Sequence, residues 1–276
     1  MKDLQHDLEI ARSIMDDYDD YYGVEPDRLY LRSNEPLDFI FANIDVLGKD
    51  VLSVLASSDQ LFSFCYGGAK SVDCFDINPL TEYYYYLRRF AIEQGLGPYP
   101  YDFNNEKLRD LLKKVKPKTP EEQQAVKFWL RLEDEYRGLM YGPLFFSVFP
   151  AGNTTYEGRE EGLIDVIPQK PLTFRNQNIF NPFDMDSTYD IIYTSNILEN
   201  ARGSVRHLKV CRDNLDKLLN PGGIVVSTRV LRDGEDNMAL RERDIFEEVF
   251  DYVPGASRIS SVTGRSDQPY YVYQKK

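Results

Sequence analysis

Val51-Leu52-Ser53-Val54-Leu55-Ala56-Ser57-Ser58-Asp59, followed by Ser71-Val72-Asp73-Cys74-Phe75-Asp76, is the stretch on which the fold turns. Val51 to Ala56 is a short, continuous, largely apolar run that closes on a small polar turn, Ser57-Ser58-Asp59, and so reads as a buried strand. Gln60 to Tyr66 has a helical pattern, Gly67-Gly68-Ala69-Lys70 breaks it, and Ser71 to Phe75 forms a second strand. A strand, helix and strand within about 25 residues require a crossover, which sets the two strands parallel and adjacent. After Asp76-Ile77-Asn78-Pro79 the pattern predicts a helix from Leu80 to Glu93, stopped at Gly95.

Moving outward from this unit, the amino-terminal side is helical. Leu4, Leu8, Ala11, Met15 and Tyr18 recur at helical spacing, and a second apolar stretch runs from Leu37 to Leu47, so residues 1–48 read as a helical cap. On the carboxyl side, residues 96–170 separate the helix ending near Glu93 from the next strand, far more than the usual αβ connection of about 2–6 residues. Helical patterns at Asn105 to Val115 and Pro120 to Tyr136 mark a helical insertion that could serve as a lid. Strands are then expected at Leu172 to Phe174, Tyr189 to Ser195, Ile224 to Arg229, Arg258 to Val262 and Tyr270 to Tyr273. Helices are expected at Gly203 to Leu219 and Met238 to Phe250. Alternation of this kind predicts an α/β fold with helices on both faces of a mostly parallel, Rossmann-like sheet, residues 49–276 forming the main domain.

Composition restricts the function. The formal charge of −12 disfavours nucleic acid as a partner, because the summed field repels phosphate backbones. His6 and His207 are the two histidines, too few and too far apart for a His-built metal site or a hydrolase triad, so no metal is expected. Cys65, Cys74 and Cys211 are odd in number and scattered, as reduced core residues are. No apolar run reaches the length of a membrane span, and Met1 to Asp20 has no signal-peptide pattern, so a cytoplasmic location is expected.

Ligands of open α/β sheets bind outside the carboxyl ends of the strands, where strand order reverses. That places attention on Ser57-Ser58-Asp59, followed by a helix whose first amides can receive an anion. Asp76 lies at the end of the second strand, at a spacing suited to an acid that binds the ribose hydroxyls of an adenosine group. Asp76 with Asn78 and Pro79 also fits a helix-capping turn, and Ser57 and Asp59 also fit helix N-caps. Tyr83 to Tyr86 fall on a helix, with two or three expected to pack on the sheet and the others to face solvent or the insertion.

Val51 to Asp59, Val72 to Asp76, Tyr189-Asp190-Ile191-Ile192 and Leu218-Leu219-Asn220-Pro221-Gly222-Gly223, in this order, resemble the motifs of class I S-adenosylmethionine-dependent methyltransferases. The resemblance implies a seven-stranded sheet with the last strand antiparallel, S-adenosylmethionine as cofactor and a small-molecule acceptor. It also implies a cofactor site at Ala56, Ser57, Ser58, Asp59, Asp76, Ile77, Asn178 and Ser195. Asn196 and Glu199, at the end of the fourth strand, would then meet the substrate. The sequence departs from the family in its glycine-rich turn: Leu55, Ser57 and Asp59 stand where glycines are expected, and Ser53 where an acid is. The Ala-Ser-rich loop is similar to that of the betaine-lipid aminocarboxypropyl transferases, which attack another carbon of the same cofactor. A non-catalytic adenosyl-binding or interaction protein of this fold is a third reading.

Overall fold

A computed structural model describes residues 3–16, 29–30, 33, 35, 37–100, 103–136, 138–139, 144–146, 160–167, 172–183, 185–198, 204–228, 243–254, 258–260 and 268–276. The elements, in chain order, are α1 (Leu4–Asp16), β1 (Leu29–Tyr30), α2 (Leu37–Phe41), β2 (Asp50–Val54), α3 (Asp59–Tyr66), β3 (Ser71–Asp76), α4 (Leu80–Glu93), α5 (Asn105–Lys114), α6 (Pro120–Glu135), β4 (Phe145–Phe146) and α7 (Leu163–Val166). They continue with β5 (Phe174–Asn176), β6 (Tyr189–Ser195), α8 (Val205–Leu218), β7 (Leu219–Thr228), β8 (Phe250–Tyr252), β9 (Arg258–Ser260) and β10 (Gln268–Lys275).

The main sheet has the order β5-β3-β2-β6-β7-β10-β8, with β9 added beside β10. β5, β3, β2, β6 and β7 are parallel, and β10 runs antiparallel between β7 and β8. The sheet is thus wound outward in both directions from β2, and the order reverses between β2 and β6. Cys74 and Phe75, neighbours on β3, point into different hydrophobic clusters, as alternation along a strand requires. One cluster holds α4, α5 and α6; the other holds α2, α8 and most of the sheet.

Several expectations shift. The strand expected at Leu172 to Phe174 lies at Phe174–Asn176, because its register is set by pairing Phe174 with Cys74 and Asn176 with Asp76. The edge place beyond β10, seventh in the sheet, belongs to Phe250–Tyr252, although Phe250 had the pattern of a helix end; Arg258–Ser260 instead forms the short added strand. Between 243 and 250 the helix covers only 243–247; the expected stretch 238–242 lies outside the described residues. Asn220-Pro221-Gly222-Gly223, expected as a turn before a strand, is taken into β7 as an irregularity, the register passing from Tyr189 with Leu219 to Ile191 with Ile224. A Cβ on Gly223 would lie 2.9 Å from the Asn220 carbonyl, so only glycine fits there.

None of Tyr83 to Tyr86 faces solvent. Tyr83 stacks on Phe128 of α6 at 4.1 Å and donates to Asp7 of α1, while the Trp129 indole donates to the Tyr83 carbonyl. α6 and the amino-terminal α1 therefore cover the outer side of α4, and Arg12 pairs in two-pronged fashion with Glu135 across them. The helix starts follow ordinary chemistry: Asn104, Thr119 and Ser204 each cap a helix through the side chain.

Asp190 joins three strands of the switch region. Its carboxylate accepts from the Asn220 side chain and from the Asp50 amide, each at 3.0 Å, and these bonds, the first foremost, hold its pKa below the ordinary value. A depressed folded-state pKa contributes stability that is present above about pH 4 and is lost as the pH falls further. The stability gap between wild type and Asp190→Asn, read from urea midpoints, should therefore narrow between about pH 6 and about pH 3. A gap that stays constant would show that the charge of Asp190 is not what ties these strands.

Candidate functional site at the carboxyl ends of the strands

The loop after β2 is shaped by the end of β3. The Leu55 amide donates to the Phe75 carbonyl at 2.9 Å, and the Ala56 amide donates to Asp76 Oδ2 at 2.9 Å. Asp76 Oδ1 accepts from the Asn78 amide at 3.0 Å, so one carboxylate fixes both the first loop and the start of α4. Ala56 and Ser58 have φ of 43° and 70°, in the left-handed region. The conformation that favours glycine thus falls one residue after the expected positions 55 and 57. Each such residue carries a strain of about 1–2 kcal/mol, offset here by the Asp76 bond and by the Ser58 amide bonding to Leu55 O.

Ser57, Ser58 and Asp59 are fully buried. Asp59 Oδ2 accepts from the Ser33 amide at 2.6 Å and from Ser57 Oγ at 3.0 Å, and Oδ1 accepts from Arg88 Nη2 at 2.7 Å. Arg88 also donates to the Ser57 and Pro98 carbonyls and lies over Phe62, Tyr84 and Tyr99. Asp59 is in this way committed to holding the loop. Ser58 occupies the N-cap position of α3 but caps nothing; its buried hydroxyl has no hydrogen-bond partner among the described residues.

The edge formed by β3 and β5 is more open. Ile77 is exposed, and the Asn176 side chain donates to the Asp76 and Ile77 carbonyls. Gln177 Oε1 is buried without a partner among the described residues. Asn178 follows directly, its Oδ1 accepting from the Phe180 amide in a local turn. Ala56, Asp76 and Ile77 are brought together, then, with Asn178 next along the same edge.

Across the switch point, Ser195 ends β6 with φ of 54°, beside an irregularity in its pairing with β7. Its Oγ donates to Glu35 Oε1 at 2.6 Å, and Asn196 follows it, half-buried. Glu199 lies outside the described residues. Glu35 is the residue that sequence reasoning misses. It is 3% exposed and accepts from Gln60 Nε2 at 2.9 Å, Tyr193 OH at 3.0 Å and Thr228 Oγ1, drawing α3, β6 and β7 together. Burial, and then Glu35, keeps the Tyr193 hydroxyl protonated by pushing its pKa well up. Tyr30 of β1 also belongs here; burial raises its pKa first, and the charges of Asp76 and Glu35 raise it further. The nearest signal was Ser33 to Glu35 just ahead of the apolar stretch from Leu37, which reads only as a helix start.

The site therefore lies where five parallel strands, wound both ways from a switch point, present their carboxyl ends, and the chain's last strand enters antiparallel before the edge. The chain has a Rossmann-like α/β fold. No family model matches the sequence, and no curated protein matches it significantly. Among solved structures it is similar to the N-methyltransferase NodS from Bradyrhizobium japonicum WM9, at 10% identity and a TM-score of 0.44, over 86% of this chain and 93% of that one. It is similar to the glycopeptide N-methyltransferase MtfA at 9% identity and a TM-score of 0.44, over 86% and 87%. It is also similar to the ribosomal protein L11 methylase from Lactobacillus delbrueckii subsp. bulgaricus at 12% identity and a TM-score of 0.43, over 86% and 76%.

Other features of the fold stand apart from the site. A hollow of about 510 Å³ bordered by residues 41–47 and Gly67 lies at the amino end of β2, opposite the strand ends. Among the described residues no group of His, Cys, Asp and Glu is arranged to hold a metal ion. The three cysteines are free, and burial raises the pKa of Cys65 and Cys74, which suits packing rather than nucleophilic chemistry. No helix of the described residues is long and apolar enough to cross a membrane.

Proposed function

We propose that the chain is an S-adenosylmethionine-dependent methyltransferase with a small-molecule acceptor. The observation that carries this reading is the convergence at the switch point of the Asp76 carboxylate, the left-handed residues Ala56 and Ser58, and a buried Ser58 hydroxyl lacking a partner among the described residues. Buried polar atoms without partners are uncommon and mark places where something else completes the hydrogen bonding. Ser58 Oγ and Gln177 Oε1 are two such atoms among the described residues, the Gln177 backbone amide donating to the Asp76 carbonyl at 3.0 Å, and both suit the polar atoms of an adenosyl group.

In this reading Asp76 and Ile77 hold the ribose edge, and Ala56 with Ser58 faces the amino-acid arm. Gln177 and Asn178 lie toward the base, and Ser195 and Asn196 face the acceptor. Bound there, S-adenosylmethionine would supply a carbon activated by an adjacent sulfonium. The protein's part is to align the acceptor and exclude water, which the buried loop with the buried Ser33 and Glu35 suits. Tyr30 and Tyr193, their hydroxyls held protonated, act as hydrogen-bond donors rather than bases.

A second reading is aminocarboxypropyl transfer from the same cofactor, favoured by Ala56-Ser57-Ser58 standing in place of a glycine loop. Products separate the two, since methyl transfer leaves S-adenosylhomocysteine and aminocarboxypropyl transfer leaves methylthioadenosine. Titration calorimetry with S-adenosylhomocysteine tests both at once; a folded protein that fails to bind it is neither enzyme. Ser58→Gly sharpens the test. Glycine relieves the left-handed strain and removes a buried orphan hydroxyl, which together offset its greater chain entropy, so stability should hold or rise by up to about 1 kcal/mol. Cofactor affinity should fall at the same time. Unchanged affinity would remove Ser58 from the site.

A further inference from the structure

Glu35 differs from Asp59, another buried carboxylate at the strand ends. Asp59 is neutralised by Arg88, whereas every partner of Glu35 among the described residues is neutral: Ser33 Oγ, Gln60 Nε2, Tyr193 OH, Ser195 Oγ and Thr228 Oγ1. No Lys, Arg or His among the described residues pairs with it. A carboxylate taken out of water in this way is satisfied in hydrogen bonds but not in charge, and a buried charge calls for a counter-charge.

Gln60 supplies the second observation. Its Nε2 donates to Glu35 Oε2 and to Ser33 Oγ at 3.3 Å, which fixes the amide orientation, because the flipped amide would set a carbonyl oxygen against a carboxylate. Oε1 is thereby turned away from Glu35's bond, and it is buried with no donor among the described residues, in a side chain 2% exposed. An uncompensated negative charge and an unpaired neutral acceptor thus sit on adjacent groups at the switch point. A hydroxyl would answer the acceptor but not the charge, and a sulfonium or quaternary ammonium would answer the charge but not the acceptor. A cation carrying N–H donors answers both.

We propose that Glu35 and Gln60 form a recognition site for a protonated amine. Two sources share that chemistry, the α-ammonium of the cofactor's aminocarboxypropyl arm and an amine on the acceptor. The assignment of sources rests on the function proposed above; the amine site itself does not.

The test is calorimetry on the full chain with S-adenosylhomocysteine and with its desamino analogue, in which hydrogen replaces the α-amine. If the cofactor's ammonium is the occupant, wild type prefers the amine-bearing ligand by about tenfold or more, and Glu35→Gln and Gln60→Met each bring that ratio toward one. The ratio is taken within each variant, so general destabilisation, which weakens both ligands alike, does not imitate the result; Gln60→Met leaves the carboxylate in place should Glu35→Gln fail to fold. If wild type shows no preference, butylammonium chloride titrated into protein saturated with S-adenosylhomocysteine decides: binding lost in either variant supports an acceptor amine. A flat ratio together with no variant-sensitive butylammonium binding overturns the proposal. If neither adenosyl ligand binds, the cofactor reading fails, and butylammonium on the unliganded protein and its variants still decides the amine site.

Discussion

Arg88→Met should lower the stability of the protein by about 3–5 kcal/mol, the range for breaking a buried ion pair by removing one partner. Arg88 and Asp59 are both fully buried and 2.7 Å apart. Methionine fills much of the volume between Phe62, Tyr84 and Tyr99, so the loss is chiefly electrostatic: Asp59 is left charged, and the Ser57 and Pro98 carbonyls lose a donor. The melting temperature should fall by about 6–20 °C, at about 2–4 °C for each kcal/mol. Arg88→Met with Asp59→Asn should regain a good part of the loss, because the stranded charge is gone. A double variant no more stable than Arg88→Met alone would show that stacking, not charge, makes Arg88 necessary.

This pair also explains why the first loop was legible only in part. The β2-α3-β3 unit follows from hydrophobic runs and turn residues that are close in sequence, and its parallel pairing follows from the short crossover. The distant strands were harder. Phe174–Asn176 is placed by pairing with β3, and Phe250–Tyr252 by pairing with β10. Neither constraint is local, so a pattern of apolar residues could miss the register by two positions or read a strand as a helix end. The Tyr83 to Tyr86 run shows the same limit. A helix pattern gives a buried face, but burial all round depends on α1 and α6 arriving from elsewhere in the chain.

At the site, the place of Asp76 beside the loop after β2 was legible because it follows from a fixed offset between the first two strands. Glu35 was not, because what distinguishes it is the meeting of α3, β6 and β7 around one carboxylate. Nor could sequence show that Asp59 is committed inward to Ser33, Ser57 and Arg88, since an acid after a strand reads alike whether it faces a ligand or a buried arginine.

Asp76→Ala should weaken S-adenosylhomocysteine binding by about 1.5–3 kcal/mol, or about 10- to 150-fold in Kd, the range for hydrogen bonds to a charged group. The difficulty is that Asp76 also holds the Ala56 and Asn78 amides, so alanine disturbs the loop as well as any ribose contact. Asp76→Asn disturbs the loop less but does not by itself separate these roles. Its amide keeps one acceptor oxygen, but its NH₂ cannot accept, so one loop amide loses its partner whichever way the side chain turns. Methylthioadenosine and adenine provide the control, since the first carries the ribose and the second does not. A ribose contact predicts that both variants weaken S-adenosylhomocysteine and methylthioadenosine by similar factors while adenine binding stays as it was. Equal weakening of all three ligands would mean that Asp76 acts only by shaping the loop after β2, and the ribose assignment would go with it.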